Sequence, residues 1–199
     1  MNEKEAIRLV KEKNLKGLAY LVQHHQLEAL RTATLLLADR HLAEDLVQNA
    51  FIRFYDKAAN FDSERPFKPY FMRMIVNEAI KIASRNKPTL SFDEQAGSET
   101  LDILDPNPLP EEVFEAKETQ TAVWLALQKL PPDQRAVIVM RFYLEMTENE
   151  IKEALGSPLG TIKWRLYRAR SLLASLLRDE KPMHSSHREM IEITEENHE

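Results

Sequence analysis

Four basic residues, Lys163, Arg165, Arg168 and Arg170, fall within eight positions with no acid among them. Positive charge at that density neutralises phosphates, and a helix that carries it fits the major groove of a duplex. At helical spacing Lys163, Trp164, Tyr167 and Arg168 share one face. Lys163 and Arg168 suit phosphate oxygens or guanine edges. Tyr167 suits a sugar or a thymine methyl, and Thr161 suits a phosphate oxygen. The chemistry on offer is recognition. The sequence holds no Gly-rich phosphate loop, nucleophile motif or catalytic metal-ligand set, so no enzymatic activity, cofactor or metal is expected.

A helix of this kind must be held against a partner helix. Thr147, with Glu150 three residues on, forms a capping box that starts a helix. Gly156 suits the left-handed position that ends it. Ser157 then reads as an N-cap and Pro158 as the first helical position. Two capped helices about so short a turn make a helix-turn-helix over residues 147–170. Upstream of it, one helix is expected over 111–130, ended by Pro131 and Pro132, and another over 134–143.

A second set of helices precedes these. Ala6, Ile7, Leu9 and Val10 begin an apolar stripe that Leu15, Leu18, Ala19 and Val22 continue, and a further run covers 27–37. Leu46, Val47, Ala50, Phe51 and Phe54 mark a helix over 42–58. The loop 60–66 (NFDSERP) follows, and Phe71, Met74, Ile75, Ala79 and Ile82 mark a helix over 67–84. Residues 87–110 carry Pro88, Gly97, Pro106, Pro108 and Pro110 among acids and sparse apolar side chains. Such a segment buries too little surface to offset its ordering entropy and reads as a flexible acidic linker. Residues 180–199 read as a disordered acidic tail, in which His184, His187 and His198 are incidental rather than a metal site. The expected fold is therefore all-α: two small helical domains, 1–86 and 111–179, joined by the linker.

The net charge of −5 conceals a strong partition. Residues 65–87 carry net +5, whereas 91–118 carry −8 and 179–199 carry −5. Local sign governs binding beyond a Debye length of roughly 10 Å, so both basic surfaces remain fit for nucleic acid. The chain has no cysteine, which excludes disulfides and thiolate metal sites. Its start is charged and amphipathic rather than a signal peptide, and no apolar run has the length of a membrane span. A cytoplasmic protein with no membrane insertion is expected.

Three blocks in order carry a family likeness: AEDLVQNAFIRFY (43–55), FDSERPFKPYFMRMIVNEAIKIASR (61–85) and LQKLPPDQRAVIVMRFYLEMTENEIKEALGSPLGTIKWRLYRAR (127–170). On these the chain resembles the small two-domain, extracytoplasmic-function (ECF) class of bacterial RNA polymerase sigma factors. The resemblance implies that 1–86 is a sigma region 2 bundle and 111–179 a sigma region 4 helix-turn-helix. It implies a core polymerase interface at Asp45, Gln48, Asn49, Arg53 and Tyr55. It implies promoter melting, with capture of single strand, by Phe61, Arg65, Lys68, Tyr70, Arg73, Asn77 and Lys81. It implies that Thr161, Lys163, Trp164, Arg165, Tyr167 and Arg168 read the upstream promoter element. The partners so implied are core RNA polymerase, promoter DNA and an anti-sigma factor. The acidic linker would thread the RNA exit channel.

Several residues depart from the family pattern. Asn49 stands for the usual glutamate, Tyr70 for a frequent tryptophan and Trp164 for a small hydroxyl residue; Pro69 is unusual but tolerable near a helix start. Trp164 has two readings, contact with DNA or packing on a neighbouring helix. Asn77 also has two, contact with DNA or bracing of a loop. A stand-alone helix-turn-helix regulator is the alternative function, and the 43–55 block, for which such a regulator has no use, discriminates against it. A third reading is basic helices that bind acidic proteins; salt-sensitive, sequence-selective DNA binding would oppose it.

Overall fold

The structure, a computed structural model, describes residues 1–85 and 113–179, with side chains of the latter stretch from 119 to 178. Every regular element among the described residues is helical. The linker expected at 87–110 and the tail expected at 180–199 lie outside the described residues. The first unit comprises α1 (Glu3–Lys11), α2 (Leu15–Leu37), α3 (Arg40–Lys57), a 3-10 turn (Ala58–Asn60) and α4 (Phe67–Arg85). The second comprises α5 (Val113–Gln128), α6 (Pro132–Ile138) with a π-helical continuation (Val139–Tyr143), α7 (Glu148–Leu155) and α8 (Leu159–Asp179).

Local chemistry explains most of the helix starts. Asn2, Asn14 and Asp39 each accept a backbone N–H of the helix that follows. Thr147 and Glu150 form the reciprocal capping box. The expected stripe from Ala6 to Val22 is interrupted: Lys13 takes a left-handed φ of 59° and splits α1 from α2. Conversely, the runs 15–22 and 27–37 form one unbroken helix of 23 residues. Neither proline nor a local glycine signals the break at 12–14. What drives it is packing, because the reversal folds the apolar face of α1 back onto α2.

The core of the first unit is built round five phenylalanines, Phe51, Phe54, Phe61, Phe67 and Phe71. Phe67 and Phe71 are 0% exposed, and Phe54 is 1% exposed. The Phe67 ring lies 4.7 Å from Phe54 and 5.1 Å from Phe71, centroid to centroid. This cluster joins α3 to α4 through their apolar faces. In the second unit the buried apolar set gathers Leu130, just before α6, with Val137, Met140, Ile151, Ile162 and Leu166 from α6 and its π-helical continuation, α7 and α8. It fixes the angle of the helix-turn-helix.

The two units touch through polar groups as well. Arg135 Nη1 donates to Leu36 O at 2.8 Å, and Gln128 Nε2 donates to Leu35 O at 3.3 Å. These are orphan carbonyls at the end of α2. Arg135 Nη2 also donates to Gln128 O and Leu130 O, at 2.7 and 3.2 Å. Burial lowers the Arg135 guanidinium to about 10, so it remains charged at neutral pH.

Gly17 tests the first of these packings. A Cβ there would collide with Ala6 O and come within 2.8 Å of Leu9 Cβ and 2.9 Å of Val10 N. Backbone atoms cannot yield as a flexible side chain does. Gly17→Ala is therefore expected to destabilise the protein by about 1–3 kcal/mol, the usual cost of overpacking. Urea denaturation of the two full-length proteins measures it.

Candidate nucleic-acid interface

Helix α8 presents a mixed aromatic and basic face. Trp164 and Tyr167 are 57% and 66% exposed. The Arg168 guanidinium lies 6.0 Å over the Trp164 ring, within reach of a cation–π attraction. Lys163 is exposed, with its ammonium 3.9 Å from Glu148 on α7. These four side chains form the face that helical spacing assigned. Trp164 is thus an open side chain, though it also borders a shallow cleft beside Ser84 and Asp133.

Arg165 and Thr161 sit differently. Arg165 donates to Asp133 Oδ2 at 2.7 Å and ties α8 to α6. Thr161 is half-buried. Gly156 adopts the left-handed conformation (φ 62°) that ends α7. Helix α8 begins one residue later than expected. The Pro158 carbonyl accepts from the Ile162 N–H, which makes Pro158 the cap position rather than the first helical residue.

The residues singled out between 61 and 85 divide in the same way. Phe61 is only 6% exposed, its ring 4.8 Å from Tyr70 and 5.5 Å from Phe54. Its side chain belongs to the core and anchors the loop. Tyr70 is 38% exposed and covers that ring. Arg73 is exposed. Arg65 pairs with Asp62, Lys68 with Glu28 at 2.7 Å, and Lys81 with Glu78. Burial raises the Glu78 carboxyl, but the Lys81 ammonium and the Arg53 guanidinium outweigh it and hold Glu78 below the usual carboxylate range. Asn77 Nδ2 donates to Ala154 O at 3.1 Å, so it caps α7 of the other unit.

Asp45, Gln48, Asn49 and Arg53 are exposed along one side of α3. Tyr55, expected on that side, is half-buried. Its hydroxyl donates to Lys13 O at 2.7 Å, and the Lys13 ammonium lies 4.7 Å over its ring. Tyr55 therefore staples α3 to the reversal between α1 and α2. The sequence reading missed Ile52, 56% exposed among these polar residues. The signal was present: an apolar residue three or four positions from Gln48 and Asn49 falls on the polar face.

His25 packs beside the start of α4, its ring 5.1 Å from Phe67. Its Nε2 is 3.1 Å from Glu3 Oε2. Burial lowers its pKa and is opposed, but not overcome, by Glu3, with a smaller opposing pull from Glu28 and a small lowering from His24. At neutral pH the pair is thus a neutral imidazole N–H donating to a carboxylate.

Comparison with known proteins places the chain in a family. The sigma-70 region 2 model matches residues 21–89, and a sigma-70 region 4 model matches 120–173. The ECF RNA polymerase sigma factor SigW of Bacillus subtilis is 33% identical over 181 residues, which cover 88% of this chain and 97% of that protein. The ECF sigma factor SigE of Mycolicibacterium smegmatis is 30% identical, over 83% of this chain and 62% of that protein. Among solved structures, CnrH in complex with the cytosolic domain of CnrY matches with a TM-score of 0.64. The match covers 90% of this chain and 99% of that one at 21% identity. RpoE of Bartonella quintana, in complex with the anti-sigma factor NepR, matches with a TM-score of 0.57 at 23% identity, over 78% and 95% of the two chains. The chain belongs to the ECF class of RNA polymerase sigma factors, in the sigma-70 family.

His25 carries a pH dependence with a defined sign. Its folded pKa is lowered, so the unfolded chain binds the extra proton more readily. The contribution is whole above the unfolded value of about 6.5 and is lost as pH falls below it. Urea melts at pH 7.5 and 5.5 should show the protein less stable at the lower pH. The difference should shrink in His25→Gln.

Proposed function

We propose that this sigma factor uses three separate surfaces. The exposed side of α3 docks on core RNA polymerase. Helix α8 reads the upstream promoter element as duplex, through Lys163, Trp164, Tyr167 and Arg168. The 61–66 loop and α4 capture the downstream element as single strand. The observation that carries this reading is the coexistence of an open recognition helix and an open polar face on α3. A duplex reader acting alone has no use for the second. Arg165 and Phe61 act as supports, one for the recognition helix and one for the loop.

Asn77 reaches a DNA strand only when the two units part, because here it caps α7. Unstacking a base costs a few kcal/mol, which contacts from Tyr70, Arg73 and the loop backbone must return. The two solved relatives are complexes with the cytosolic domain of CnrY and with the anti-sigma factor NepR. They support an anti-sigma partner for this chain too. Among the described residues no helix is long and apolar enough to cross a membrane, in keeping with action beside polymerase in the cytoplasm. The protein performs no chemistry of its own.

Run-off transcription on a randomised promoter library, with core polymerase alone and with this protein added, tests the reading. Promoter-specific transcripts should appear only with the protein. Their absence from every template would sink it. Ile52 supplies a sharper test of the docking surface. Truncating a central apolar side chain of an interface commonly costs more than 1 kcal/mol, so Ile52→Ala should weaken core binding about tenfold. Its melting temperature should stay that of the parent, since the side chain is exposed. Titration of labelled protein against core polymerase reads the affinity.

A further inference from the structure

Helix α4 begins without a cap of its own. Pro66 stands before it and offers no side-chain acceptor, and Pro69 in its first turn has no N–H. The Phe67 N–H, an orphan donor of the helix start, donates instead to Glu3 Oε1 at 3.2 Å, from a residue 64 positions away. The second oxygen of the same carboxylate meets His25 at 3.1 Å. Glu3 therefore ties α1, α2 and the N-terminus of α4 together, with its negative charge at the positive end of the α4 dipole. Lys4 adds a contact to Glu64 in the loop at 3.4 Å. Phe67 itself is fully buried, so its backbone sets where the loop ends and where Tyr70 and Arg73 begin. Helix α1 lies outside the residues that the sigma-70 region 2 model matches, 21–89.

We propose that Glu3 is a positioning residue for promoter opening: by capping α4 from α1, it holds the 61–66 loop, Tyr70 and Arg73 in the geometry that captures the downstream strand. This rests on the reading of residues 61–85 as the strand-capturing segment. A Gln at position 3 keeps one oxygen for the Phe67 N–H and one amide for the imidazole, whose tautomer adjusts. An Ala keeps neither.

The test uses holoenzyme assembled from core polymerase and full-length wild-type, Glu3→Ala or Glu3→Gln protein. The DNA is a promoter recovered from the randomised library. Two affinities are measured, for its single-stranded downstream non-template oligonucleotide and for its duplex upstream fragment. Glu3→Ala should bind the single strand about tenfold more weakly and the upstream duplex as the wild type does. Glu3→Gln should recover most of the loss. Hydrogen exchange on the free proteins should show the Phe67 amide opening about tenfold faster in Glu3→Ala only. Unchanged strand binding in Glu3→Ala overturns the inference, as does an equal loss of both affinities, which marks a general structural role. A wild-type holoenzyme that fails to bind the downstream strand overturns instead the reading on which it rests.

Discussion

Burial of the Phe67 ring among Phe54, Phe61, Phe71 and His25 is the constraint on which the first unit depends. Each partner comes from a different stretch of chain: α3, the loop, α4 itself and α2. Stacked, tilted and edge-on ring pairs of this sort add about 0.5–1.5 kcal/mol each beyond the area they bury. They also fix mutual angles, which aliphatic packing does less well. The polar face of α3 and the open part of the loop lie on the outside of this cluster. The placement of the proposed polymerase contact relative to the proposed strand capture is thus an outcome of core packing.

The link between the two units adds polar contacts to a shared apolar cluster. Arg135, Gln128 and Asn77 meet backbone carbonyls of Leu36, Leu35 and Ala154. Individually such bonds are worth about 0.5–3 kcal/mol net, the charged one the most. Water can replace each of them when the units separate. Arg135 keeps two of its carbonyl partners, Gln128 and Leu130, within its own unit. The second unit therefore retains its internal brace when the contact to α2 is lost. A strong aromatic core inside one unit, and replaceable backbone hydrogen bonds beside the apolar contact between units, suit a protein whose DNA contacts act at separate promoter elements.

Much of this was legible in the sequence, and the parts that were not share a cause. The capping box at Thr147, the end at Gly156 and the face of Lys163, Trp164, Tyr167 and Arg168 follow from rules spanning three or four residues, and the structure has them as read. The break at Lys13 and the merging of two runs into α2 do not, because helix-on-helix packing decides them. Arg165 and Lys163 look alike in sequence; only the proximity of Asp133, 32 residues earlier, turns Arg165 inward. The start of α4 was located correctly although its cap, Glu3, is 64 residues away. Tyr55 and Phe61 carry the same lesson, since an aromatic side chain on a functional segment serves whichever neighbour buries it.

In the proposed function one polymerase-bound chain makes two DNA contacts of different kinds, duplex at α8 and single strand beside α4. A photoreactive benzophenone placed at Tyr167 or at Tyr70 in the holoenzyme measures this directly. The Tyr167 probe should cross-link to upstream duplex on both closed and opened promoter. The Tyr70 probe should cross-link to the non-template strand, and only once the promoter has opened. Equal cross-linking from Tyr70 to unopened duplex, or none from Tyr167 to DNA, would contradict the account.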